Sequence, residues 1–217
     1  MNVPVAVSTG GKFITLEGGE GTGKSTQIAR LASALMAVGI NCVQTREPGG
    51  APGAEEIRRL LVEGAVDRWQ PMSEVLLHNA ARIEHLETTV KPALASGQWV
   101  VCDRFFDSTL AYQGYGHGLD TAAIANLHWL LYKDFKPDLT LVLDLRLEEG
   151  LKRAAGRAQG EDRYERMGKD FHERLRRGFL EIAEAEPGRC AVVDASGDEE
   201  TVHERIMAVV RERLPLR

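Results

Sequence analysis

The chain has 217 residues, of which 43% are hydrophobic, and a formal net charge of −5 at pH 7. That length and apolar content allow one full core in a single domain and exclude a disordered or low-complexity chain. The acidic balance argues against a nucleic-acid groove, although basic residues gather between Lys152 and Arg177 as a local anion site, so a monomeric nucleotide suits the chain better than a polymer.

Residues 1–11 have neither the cationic start nor the apolar core of a secretory signal and read as a flexible tail. No later run reaches membrane-spanning length, and a cytoplasmic location is expected. Residues 12–17 read as a strand. Directly after them, Gly18-Gly19-Glu20-Gly21-Thr22-Gly23-Lys24-Ser25 fits the phosphate-loop pattern, which Thr26 follows. Glycines let the backbone curl round an anion and aim N–H groups at it, Lys24 adds a mobile positive charge, and Ser25 offers a hydroxyl to magnesium. Ile28, Leu31, Ala32, Leu35 and Met36 then mark one face of a helix that ends at Gly39, so the loop lies between strand and helix as nucleoside triphosphate binding requires.

A second strand over 40–45 leads into Thr45-Arg46-Glu47-Pro48-Gly49-Gly50, a glycine-rich loop at the same sheet edge. A helix covers 54–63, and Pro71 opens a long one whose apolar face runs Leu76, Ala80, Ile83, Leu86, Val90, Leu94 to Gly97, kinked or restarted at Pro92. The third strand, 98–103, ends in Asp103-Arg104-Phe105. Such a pair alone is often a plain surface ion pair, but beside a phosphate loop Asp103 can help hold magnesium and the planar fork of Arg104 can grip a phosphate. Helices over 121–134, 147–158 and 165–185 surround strands at 139–144 and 189–194, and Val202, Ile206, Val209 and Val210 mark the closing helix. Strands separated by helices imply a parallel sheet covered on both faces, with ligands at the carboxyl ends of the strands.

The three cysteines, Cys42, Cys102 and Cys190, lie in strand-like runs without metal-ligand spacing and read as buried hydrophobes. The six histidines show no zinc spacing, and His78 and His85, seven apart, cannot complete a tetrahedral site alone.

The Arg46-Glu47-Pro48-Gly49-Gly50 loop, Asp103-Arg104-Phe105, Asp107-Ser108-Thr109-Leu110-Ala111-Tyr112-Gln113-Gly114 and Lys136-Pro137-Asp138-Leu139-Thr140 occur in order and at the intervals of one family. Over nearly its whole length the chain resembles the bacterial thymidylate kinases. The resemblance implies an α/β P-loop NTPase fold with a five-stranded parallel sheet and a short helical lid at about 152–163, acting as a homodimer. It implies Mg2+-dependent phosphoryl transfer from ATP to dTMP, giving dTDP and ADP. The loop from Gly18 to Thr26 would then hold ATP, with Arg104 and Arg58 at the acceptor phosphate, Glu20 and Glu47 near the sugar 3′-hydroxyl, and Arg82, Thr109 and Gln113 around thymine. Gly21 stands where some members carry an arginine, so the charge beside the transferred group is expected from the lid, first from Arg157 and second from Arg153. One departure stands out: His78 occupies the place of a phenylalanine that stacks on the base, and its protonation at low pH is expected to weaken stacking. A kinase for another nucleoside monophosphate or a deoxynucleoside is the enzyme alternative. A nucleotide-dependent switch is the alternative of another class, against which the acceptor-site residues and the absence of an Asn-Lys-x-Asp motif both argue.

Overall fold

The computed structural model describes residues 10–154 and 163–216. Five strands, β1 (Phe13–Glu17), β2 (Cys42–Arg46), β3 (Trp99–Asp103), β4 (Leu139–Asp144) and β5 (Cys190–Asp194), form one parallel sheet in the order β2-β3-β1-β4-β5. Each lies within two residues of its sequence expectation. The central β1 is buried along its length, as its aromatic and β-branched run requires, whereas the edge strand β2 is half-exposed. In register, Leu16 pairs with Asp103 and Arg46 with Asp103, which brings the ends of three strands to one edge.

Between the strands run α1 (Lys24–Ala37), α2 (Pro52–Val62), α3 (Pro71–His85), α4 (Lys91–Ala95), α5 (Phe106–Thr109), α6 (Thr121–Tyr132), α7 (Leu147–Ala154), α8 (Lys169–Ala185) and α9 (Glu199–Arg213). One side of the sheet packs Ile14, Leu16 and Leu141 against Leu31 of α1 and Ile206 and Val210 of α9. On the other, Phe13, Val100 and Cys102 meet Leu86 and Val90, while Val142 meets Tyr112 and the α8 residues Phe171 and Phe179.

One expectation needs correction, and one element was not anticipated. The face of α3 turned inward is Glu74, Val75, Asn79, Arg82 and His85, while Leu76 and Ile83 are 55% and 40% exposed. Hydrophobic periodicity misread this helix because its inner face lines a polar pocket. A π-helical segment, Leu86–Val90, shifts the phase, so that Leu86 and Val90 are buried, and α4 then restarts at Lys91 with Pro92 in its first turn, as expected. The unanticipated element is a helix: α5 continues into wide π-helical turns over Leu110–Gly116.

Cys102 and Cys190 are buried and Cys42 half-buried, all with free thiols. Among the described residues no three metal-ligating side chains cluster, and no helix is long and apolar enough to cross a membrane.

Candidate functional site

Gly18 and Gly23 have φ of 135° and 88°, and a side chain on Gly18 would start 2.4 Å from the Leu143 carbonyl, so both the turn and its close approach to β4 demand glycine. Lys24, the first residue of α1, donates from Nζ to the carbonyls of Gly18 (3.1 Å) and Gly19 (2.8 Å). Burial, then the nearby Arg104 charge, pushes its ammonium down to about 8. Ser25 donates to Asp103 Oδ2 at 3.0 Å, while Asp103 Oδ1 is buried with no partner. A hydroxyl and a carboxylate with open lone pairs fit a hard divalent cation that takes its other ligands from phosphate and water.

Gly21, Thr22, Gly23 and Thr26 share a second cavity with Arg153 and the loop after β5. Arg153 reaches Glu149 at 2.5 Å and the Gly197 carbonyl at 3.3 Å, and so stands across this cavity from the glycine-rich loop. Arg157 lies outside the described residues. The loop and α7 touch at glycines: a Cβ on Gly21 would lie 1.9 Å from the Gly150 carbonyl in α7.

Beside the loop, a pocket is lined by Glu20, Glu47, Arg58, His78, Arg82, Arg104, Thr109 and Gln113, every residue expected around the acceptor. They arrive from separate elements: Glu47 after β2, Arg58 on α2, His78 and Arg82 one turn apart on α3, Arg104 after β3, Thr109 and Gln113 one turn apart after it. Arg58 donates to the Pro48 carbonyl at 2.8 Å. Arg104 has φ of 70°, a left-handed conformation unfavourable for a side-chain-bearing residue. That turn aims its guanidinium back at the phosphate loop, where it donates to the Gly18 carbonyl (2.9 Å) and to Glu20 Oε1 (3.0 Å). Burial works to raise the Glu20 pKa, but Arg104, Lys24 and the Tyr112 hydroxyl outweigh it and hold the carboxyl down to about 2.

Arg82 is bound from two sides, by Glu47 Oε2 at 2.7 Å and Thr109 Oγ1 at 2.9 Å, with its plane 5.0 Å from the Phe105 ring; its Nη1 is buried and unpartnered. His85 engages the other Glu47 oxygen at 2.9 Å. Gln113 donates from Nε2 to Glu74 Oε2 at 2.8 Å and to the Tyr164 hydroxyl at 3.5 Å, and its Oε1 is buried without a partner. His78 lies 3.3 Å from the Tyr164 hydroxyl, and burial, together with the Arg82 and Arg104 charges, pushes it down to about 3. That shift disfavours the imidazolium and so argues against the expected loss of stacking through protonation.

Sequence reasoning gave no role to Glu74, Tyr112, Tyr164, Arg163 or Glu17. Glu74 carried a signal: it precedes His78 by four residues and Arg82 by eight, one helical stripe. Tyr112 lay inside a quoted motif. Glu17 takes the Phe105 N–H at 2.7 Å and the Ser108 hydroxyl at 2.6 Å, and so braces the turn that presents Arg104. Burial and then Asp107 push its carboxyl up to about 8.

A family model described as thymidylate kinase matches residues 16–206. The chain is 54% identical over 208 residues to a thymidylate kinase of Caulobacter vibrioides, covering 96% of this chain and all of that one. To one from a Jannaschia species it is 50% identical over 202 residues, 93% of this chain and 97% of the relative. A crystal structure of thymidylate kinase from Ehrlichia chaffeensis superposes with a TM-score of 0.74 at 37% identity, covering 93% of this chain and 99% of that one.

Proposed function

This chain belongs to the thymidylate kinase family, and from that premise we infer that its site transfers the γ-phosphoryl group of ATP to dTMP, giving dTDP and ADP for dTTP synthesis. One observation carries the reading: Arg104 lines the acceptor pocket and at the same time bonds the Gly18 carbonyl of the phosphate loop, so the two sites meet at one guanidinium. The acceptor phosphate is already ionised at neutral pH and needs no base. The protein's task is to align two anions that repel each other. Arg104 and Arg58 grip the acceptor phosphate, the loop amides and Lys24 hold the donor phosphates, and a lid arginine, Arg157 before Arg153, meets the charge in transfer. Ser25 and Asp103 are the residues to hold Mg2+, which when bound neutralises charge on the phosphate oxygens.

On the base, thymine presents an acceptor at O4 and a donor at N3–H. The unpartnered Arg82 Nη1 and Gln113 Oε1 are the matching donor and acceptor. His78 covers the ring face, and Glu20 and Glu47 stand toward the sugar 3′-hydroxyl. A cytoplasmic homodimer completes the reading, supported by the exposed Leu76 and Ile83 on α3 and Trp129, Leu130 and Leu131 on α6. A coupled assay with ATP, Mg2+ and each deoxynucleoside monophosphate in turn, with thymidine beside them, tests it. ADP should form with dTMP, and equal turnover of thymidine would overturn the reading in favour of a nucleoside kinase.

A further inference from the structure

The buried Glu74 on α3 is the least expected charge near the pocket. Glu74 and Arg163 form an ion pair with both side chains at 0% exposure. Arg163 also donates to the carbonyl of Leu61 (3.1 Å) in the last turn of α2 and to those of Ala65 (2.9 Å) and Val66 (2.8 Å) just beyond it. That guanidinium is held on every side and engages Glu74 Oε1. The other oxygen, Oε2, accepts from Gln113 Nε2 at 2.8 Å and from the Tyr164 hydroxyl at 3.1 Å.

A carboxylate can only accept hydrogen bonds, so the Gln113 amide must turn its N–H2 edge toward Glu74. The consequence is that Oε1 is the atom without a partner. We propose that Glu74, held by Arg163, is a specificity-determining positioning residue: it fixes the Gln113 amide so that an acceptor meets the base, selecting the N3–H of a thymine-like imide over the bare N3 of cytosine. The inference rests on the dTMP reading above.

Substitution inverts the arrangement. In Glu74→Gln the single side-chain oxygen is claimed by Arg163, whose groups only donate. The new N–H2 then faces Gln113, which must turn its own oxygen inward and show N–H2 to the base. In Glu74→Gln/Arg163→Met nothing claims that oxygen, and the native amide orientation is again allowed.

The test is kcat/KM for dTMP, dUMP and dCMP with ATP and Mg2+ in the full chain. For Glu74→Gln the dTMP/dCMP ratio should fall by about tenfold or more, because a buried donor or acceptor is left facing its like. In the double variant the fall should be smaller. The dTMP/dUMP ratio should stay unchanged in both, since uracil and thymine share that edge. Equal loss toward dTMP and dCMP would mean a purely structural role and overturn the proposal, as would an equal change in the dTMP/dUMP ratio. Should the single variant fail to fold, Glu74→Met/Arg163→Met, in which no carboxylate or amide orients Gln113, keeps the test: the dTMP/dCMP ratio should fall there too, and an unaltered ratio overturns the proposal. Wild-type enzyme that used dCMP as well as dTMP would instead sink the base-edge reading itself.

Discussion

The phosphate loop and the acceptor pocket adjoin, yet they are built in opposite ways. The loop is a continuous stretch of backbone shaped by Gly18 and Gly23, with one cation, Lys24, folded onto its own carbonyls. The pocket is made almost wholly of side chains from α2, α3, α5 and the turns after β2 and β3, each fixed by an ionic neighbour: Arg82 by Glu47, Arg104 by Glu20, Gln113 by Glu74. Backbone can receive any triphosphate, because every residue supplies the same N–H. Discrimination has to be built from side chains, and side chains that read a base must be held by others.

The largest test of this contrast is Lys24→Met, which keeps length and packing but removes charge from the transferring group. We expect kcat to fall by about a thousandfold with melting temperature little changed. Steady-state rates within tenfold of wild type would mean that backbone alone suffices. Next is Arg104→Lys, where charge survives but the fork does not: kcat/KM for dTMP should drop by about a hundredfold while KM for ATP stays near its native value. A matching rise in both KM values would place Arg104 with the loop rather than the pocket.

Smaller is the effect at His78. Replacement by phenylalanine should tighten dTMP binding by about 0.5–1.5 kcal/mol, and His78→Ala should weaken it. Because burial and the neighbouring guanidiniums push His78 down to about 3, the difference should be the same at pH 6 and pH 8 in calorimetric titrations. A gain confined to one pH would contradict a neutral imidazole. The smallest effect belongs to Glu17. Its folded carboxyl, pushed up to about 8 from 4.5, keeps a proton that the unfolded chain loses, so stability declines as pH rises through that interval. Glu17→Gln should flatten the decline, with a melting temperature about 2–6 °C higher relative to wild type at pH 9 than at pH 5. Parallel profiles for the two proteins would refute it.

The same contrast explains what could be read in advance. Gly18 to Ser25 is contiguous and its chemistry follows from spacing, so loop, flanking strand and helix were all legible, as were the five strands. Apart from Arg104, whose place beside the phosphate loop already suggested a phosphate grip, the pocket residues could be named only through the resemblance, since nothing local tells Arg82 from a solvated helix arginine. Glu74 and Arg163 escaped because each looks like an exposed charge until the chain folds and buries both. The inner face of α3 was misjudged for a related reason: polar residues that serve a site are buried there, and the apolar Leu76 and Ile83 are left outside.

The meeting of Gly21 with Gly150 bears on how such enzymes can change. With the Gly150 carbonyl 1.9 Å from where a Cβ on Gly21 would begin, no side chain enters the phosphate loop at that position until α7 retreats. Gly150 is constrained in return, since a Cβ there would lie 2.7 Å from the Glu20 carbonyl. The two positions form one heritable unit. A cation placed at position 21 therefore has to arrive together with a remodelled α7, through paired substitutions and not through single ones.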